Sequence, residues 1–164
     1  MKQRLRSILE IVLRFYVYRV PQFLVWLSLV FLAYKSYFEF KDGNFSAVIP
    51  FYLTVIGVIS AFAAITFSYS GAKIRSEEEH SYIINAGELF FYAAILLIIS
   101  LLVSWVIFEI KKVFGNLNIP FIPRVLDFVV ALSYTFLYFA ANALSKALNI
   151  LESNLWNKLR TQIR

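Results

Sequence analysis

Few side chains in this 164-residue chain have the chemistry to act on a substrate, and they fall at three places. Arg75 and the only histidine, His80, stand five positions apart around the acidic run Glu77, Glu78 and Glu79. An arginine and a histidine can together hold a phosphate and move a proton. Glu88 and Asp127 are carboxylates inside otherwise apolar stretches, where ionisation is costly unless the group is paired or faces water. Cysteine is absent, which excludes thiolate catalysis, disulfides and sulfur-ligated metals. His80 beside three glutamates lacks a second nitrogen or sulfur donor, so it makes a poor transition-metal site. No Gly-rich phosphate loop, nucleophile elbow or zinc-protease pattern occurs, and no cofactor is expected.

The R-x4-H spacing of Arg75 and His80 resembles that of HEPN-type ribonucleases. The resemblance implies an arginine and a histidine from two protomers meeting at one phosphodiester. Against it, the three intervening glutamates would repel RNA phosphate, and the rest of the chain has no room for a soluble four-helix domain. A solvated hairpin, its acidic run paired with Lys73, Arg75 or basic residues of the terminal helices, is the simpler expectation. On this reading the chain is not an enzyme and does not bind nucleic acid directly.

The elements that would position these residues are apolar helices. The chain is 60% hydrophobic and 16% charged, with a mean hydropathy of +0.71, too apolar for a soluble domain to keep its surface wet. Val20 to Tyr34 carries no charge, Phe45 to Ala72 carries none for 28 positions, and Tyr82 to Phe108 carries only Glu88. With Val125 to Leu144, these stretches predict four transmembrane helices near 20–38, 46–70, 84–109 and 125–145, an all-α polytopic membrane protein. Lys41 to Asn44 reads as a turn, Pro50 suits the first turns of the second helix, and Gly115 to Pro123 is a breaker cluster.

Both ends read as amphipathic helices. In residues 1–19, Leu5, Ile8, Ile11, Val12, Phe15 and Tyr16 recur at helical spacing among Arg4, Glu10 and Arg14, which suits a basic helix on the membrane surface or an extension of the first span. The mixed charge and the lack of a small-residue cleavage site argue against a removable signal peptide. Residues 148–164 place Leu148, Leu151, Leu155 and Leu159 at three- and four-residue steps beside Lys158 and Arg160, a candidate docking stripe for a cytosolic protein partner. Eleven Lys and Arg residues lie before the first span, between the second and third, or after the fourth, against five on the other side. The positive-inside rule then puts both termini in the cytoplasm of a multi-pass inner-membrane protein.

Helices already in lipid gain nothing from hydrophobicity on meeting, so small side chains and hydrogen bonds must pack them. Gly57, Ser60, Ala61, Ala64 and Ser68 form small pairs at four-residue spacing on the second span and suit close approach of another backbone, within the chain or from a second copy. Ser100 with Ser104 and Ala143 with Ala147 repeat the theme, and Asn142 suits an interhelical hydrogen bond. Topology separates Glu88 from Asp127; each either pairs locally, Asp127 with Arg124 or Lys112, or lines a pore in an oligomer. Transporter-like symmetry and midplane polar residues are lacking.

In plan, four short spans with little else, the whole chain resembles the small membrane subunits of bacterial anti-phage systems, such as the membrane component of Kiwa. The resemblance implies a cytosolic partner that reads or delivers an infection signal. The expectation is therefore a homo-oligomeric membrane sensor or scaffold, with an ion channel or pore-forming effector as the alternative and the ribonuclease as the third.

Overall fold

The computed structural model describes residues 20, 22–38, 44–72, 77–114 and 122–163, with side chains within 22–38, 44–68, 80–114 and 131–153. All of these residues are helical except Asn44 and Val48. The described residues form four long helices, α1 (Gln22–Phe38), α2 (Ile49–Ala72), α3 (Glu77–Phe114) and α4 (Ile122–Ile163), with a 3-10 turn at Phe45–Ala47 before α2. The amphipathic segment expected over 1–19, the Lys41–Gly43 turn and Arg75 lie outside the described residues.

The 3-10 turn is closed by Ala47 N–H on Asn44 O at 3.1 Å and Val48 N–H on Phe45 O at 2.9 Å, and it drives Phe45 and Val48 into the bundle. Pro50 then occupies the second position of α2, where its missing N–H breaks no helical bond. Inside a membrane every backbone donor and acceptor needs a partner from the protein, and continuous helices satisfy nearly all of them internally.

At 1.5 Å per residue, α2 is about 36 Å long, α3 about 57 Å and α4 about 63 Å, against a hydrocarbon core of about 30 Å. Two stretches, Phe45–Ser68 and His80–Phe114, are long and apolar enough to cross a membrane. The helices outrun the charge-free stretches because hydrophobicity marks where lipid could lie, whereas helical hydrogen bonding continues into polar sequence. The C-terminal leucine stripe is accordingly a continuation of α4 rather than a separate element.

Neighbours in the bundle run antiparallel. Phe45 stacks on Phe108 with ring centres 5.7 Å apart and Phe62 on Phe90 at 5.8 Å, which sets α2 along α3. Trp26 meets Tyr138 at 5.9 Å and Gln22 Nε2 donates to Asn149 Oδ1, setting α1 along α4, while Phe31 on Phe51 joins α1 to α2. The α3–α4 seam is built from small residues, with Ala86, Ala93, Ala94 and Ser100 facing Ser133, Ala140, Ala143 and Ala147, all buried. Large apolar side chains meanwhile cover the outside of all four helices, among them Phe23, Val30, Ile65, Phe91, Leu102, Val113 and Tyr138.

Candidate functional site

Polar chemistry inside the bundle is concentrated at the end where α1 turns into α2. Because α2 begins directly after the buried 3-10 turn, its first inward position is Tyr52, whose side chain is fully buried. The Tyr52 hydroxyl lies 3.3 Å from Ser100 Oγ, and Ser100 Oγ donates to the Ser133 carbonyl at 3.0 Å. A serine hydroxyl has one proton, and Ser100 gives it to Ser133, so Tyr52 is the donor of the first bond. The chain Tyr52 to Ser100 to Ser133 thus links α2, α3 and α4. Ser36 and Ser104, both buried, also approach the Tyr52 hydroxyl, and Ser36 donates to Leu32 O at 2.7 Å. The four hydroxyls of Tyr52, Ser36, Ser100 and Ser104 are suited to joining helices.

Tyr52 is the residue that sequence reasoning missed. Tyrosines near span ends suit interfacial anchoring, and nothing in the local pattern of an all-apolar helix marks this one as inward. The Ser100 and Ser104 pair, one turn apart, was the available signal.

The small residues of α2 face away from the bundle. Gly57, Ser60, Ala61, Ala64 and Ser68 are all exposed, and a Cβ added at Gly57 would meet nothing within 4 Å. Among the described residues they do not pack against another helix; the inward face of α2 is Tyr52, Ile59, Ala63 and Thr66. The close approach between α2 and α3 occurs instead at Gly87, where a Cβ would come within 2.8 Å of Thr66 Oγ1 and 3.0 Å of Phe67 Cε1. Ser100, Ser104, Ala143 and Ala147 are buried, as small residues packing helices should be.

No known family model, curated protein or solved structure matches the chain. What the site can do rests on its own geometry.

Glu88 is exposed on α3, and the backbone of Asp127 lies near the start of α4, its side chain outside the described residues. With Ser100 opposite Ser133, Asp127 falls level with Val106, 18 residues from Glu88 or about 27 Å along the axis, so the two carboxylates are not brought together. The same register sets half-buried His80 level with Ser153, next to Glu152, a carboxylate only 7% exposed. Glu152 is a second residue the sequence did not single out; it extends the inward side of α4, buried at Leu144 and partly buried at Leu148 and Leu151, by one step. Leu148 and Leu151 are partly buried against the core, so half of the expected docking stripe is spent inside the bundle. The side chains of Leu155, Lys158, Leu159 and Arg160 lie outside the described residues, and Asn142 is half-buried. Among the described residues no three His, Asp or Glu side chains gather as metal ligands would.

An apolar groove of ≈ 280 Å³ opens between α1 and α2, with Val25, Ser28 and Leu29 on one wall, Thr54, Val55, Val58, Ile59 and Phe62 on the other, and Phe90, Leu144 and Leu148 as its floor. Its two hydroxyls are turned back on their own helices, Ser28 to Leu24 O at 2.7 Å and Thr54 to Pro50 O at 2.8 Å. A smaller space of ≈ 150 Å³ lies between α1 and α4 beside Trp26, Tyr134 and Tyr138.

Proposed function

We propose that the chain is a four-span inner-membrane protein with both termini cytoplasmic, acting without catalysis as a homo-oligomeric sensor or scaffold for a cytosolic protein partner. The observation that carries this reading is the distribution of apolar surface. Large hydrophobic side chains cover the outside of every helix, and the interior packs further apolar side chains such as Leu32, Phe45 and Leu97 with small residues and the hydroxyl chain of Tyr52 and Ser100. Contiguous apolar surface on that scale is untenable in water and natural in lipid. Oligomerisation is supported by the outward stripe from Gly57 to Ser68, which leaves a flat face for a second backbone. The excess of basic residues on one set of connections supports the orientation, and the architectural resemblance to anti-phage membrane subunits supports a cytosolic partner.

Light scattering of purified protein in lipid nanodiscs tests the assembly. The wild type is expected to be oligomeric, and Gly57→Leu with Ala61→Leu to yield monomers of unchanged helicity; monomeric wild type would end the scaffold reading. An affinity-tagged chain is expected to retain a cytosolic protein and to lose it when residues 154–164 are deleted.

A pore is the second reading, favoured by Glu88, an exposed carboxylate on a long apolar helix. The interior of one chain is filled, so conduction would run between copies, and single-channel recordings whose ion selectivity changes in Glu88→Gln would support it.

A further inference from the structure

We propose that the groove between α1 and α2 is a binding site for one acyl chain of a membrane lipid. The inference rests on the membrane reading above and not on the scaffold role.

Depth is the first reason. Val58, in the middle of the α2 wall, lies within two residues of the centre of the apolar stretch Phe45–Ser68, so the groove opens at the bilayer midplane. Only hydrocarbon is abundant there; headgroups and water are not.

Chemistry is the second. The hydroxyls of Ser28 and Thr54 are both spent on their own helix carbonyls, leaving the described lining residues no donor to orient a polar ligand. Phe62, Phe90 and Leu144 complete a wall that offers dispersion contacts alone.

Size is the third. From Thr54 to Phe62 the α2 wall runs about 12 Å. Spread over that length, ≈ 280 Å³ gives a cross-section of about 23 Å², whereas a helix about 10 Å across presents about 80 Å². A single polymethylene chain fits within the slot, whereas a helix from another subunit could only lie across its mouth. Toward the α1–α2 turn the two helices close up again at Phe31 and Phe51, so the gap is bounded at that end. Filled by an acyl chain, the site keeps α1 packed without voids against α2 and makes that packing respond to the lipid supplied.

The test uses the full chain in vesicles of phosphatidylethanolamine and phosphatidylglycerol that contain a trace of phosphatidylethanolamine with a diazirine in the terminal half of one acyl chain. After illumination, labelled residues are mapped by mass spectrometry. Enriched labelling at Val25, Ser28, Val58 and Phe62 over the exposed α3 positions Leu102 and Val106 is expected. Ser28→Phe and, separately, Val58→Trp should cut the groove labelling by about tenfold by filling the space, with Leu102 and Val106 labelled as before. Labelling of the groove no stronger than that of α3, or unchanged in both variants, would overturn the proposal while leaving the membrane reading intact. Labelling at neither place would defeat the membrane reading itself. In the cysteine-free chain, oxidation of Val58→Cys to a disulfide-linked dimer would show a second copy over the groove and would also overturn the proposal.

Discussion

Tyr52 and Ser100, 48 positions apart in the chain, meet through their hydroxyls at 3.3 Å with both side chains removed from the surface. The bond ties the first turn of α2 to the middle of α3, and Ser100 passes its own proton on to α4 at Ser133. A buried polar chain of this kind is stable only when each member is satisfied, so removing its middle member should hurt most.

Tyr52→Phe keeps the ring and deletes the donor, and is expected to cost about 0.6–1.7 kcal/mol in unfolding titrations with a denaturing detergent. Ser100→Ala is expected to cost more, since it removes two bonds at once, the one from Tyr52 and the one to Ser133 O, and leaves only Ser36 and Ser104 beside the Tyr52 hydroxyl. The double variant should cost less than the sum of the two. Strict additivity would mean that the bond contributes nothing.

Gly87 and Gly57 should respond oppositely to alanine. At Gly87 the new methyl meets Thr66 Oγ1, which is held by Phe62 O at 3.0 Å and Ala63 O at 2.7 Å and cannot easily yield. Destabilisation of about 1–3 kcal/mol is expected, partly relieved by Thr66→Ala. Within one chain Gly57→Ala meets nothing, so in a detergent that holds the protein monomeric it should be neutral or gain up to about 1 kcal/mol from helix propensity. Thermal melts of both variants in one detergent decide the matter; equal losses would contradict the α2 orientation.

Leu148 and Leu151 divide from Leu155 and Leu159 in what they support. Leu148→Ala or Leu151→Ala should lower the melting temperature by removing contacts to the core, at about 1–3 kcal/mol for partly buried leucines. Under the docking proposal, Leu155→Ala with Leu159→Ala should weaken partner retention and leave the melt almost unchanged. Loss of the melt with the second pair and not the first would reverse the assignment.

Glu88 and Asp127 should behave independently. At about 27 Å along the bundle axis they share no partner, so the effects of Glu88→Gln and Asp127→Asn on stability should add within about 0.5 kcal/mol. A large coupling energy would require contact between copies of the chain.

Much of the fold was legible in the residues. Charge-free runs bounded by Lys35, Lys73 and the Gly115 to Pro123 breakers announced four helical segments, and the spans expected at 46–70 and 84–109 fall within or close to α2 and α3. Element ends were less legible: α3 begins at Glu77 and α4 continues to Ile163, because polar side chains do not interrupt the backbone hydrogen bonds of a helix. Of the candidate site residues, the serines and alanines of α3 and α4 pack as their spacing suggested, whereas the small stripe of α2 turned outward.

Composition and order of residues therefore determined that the chain is helical and holds stretches able to cross a membrane, since those properties depend on side chains summed along a segment. Only the tertiary structure decided which face of each helix is inside. Along α2 every face is apolar, so no stripe distinguishes a neighbouring helix from lipid; the choice falls to shape, with Gly87 admitting Thr66, the 3-10 turn setting Tyr52 on Ser100, and the gap left between α1 and α2.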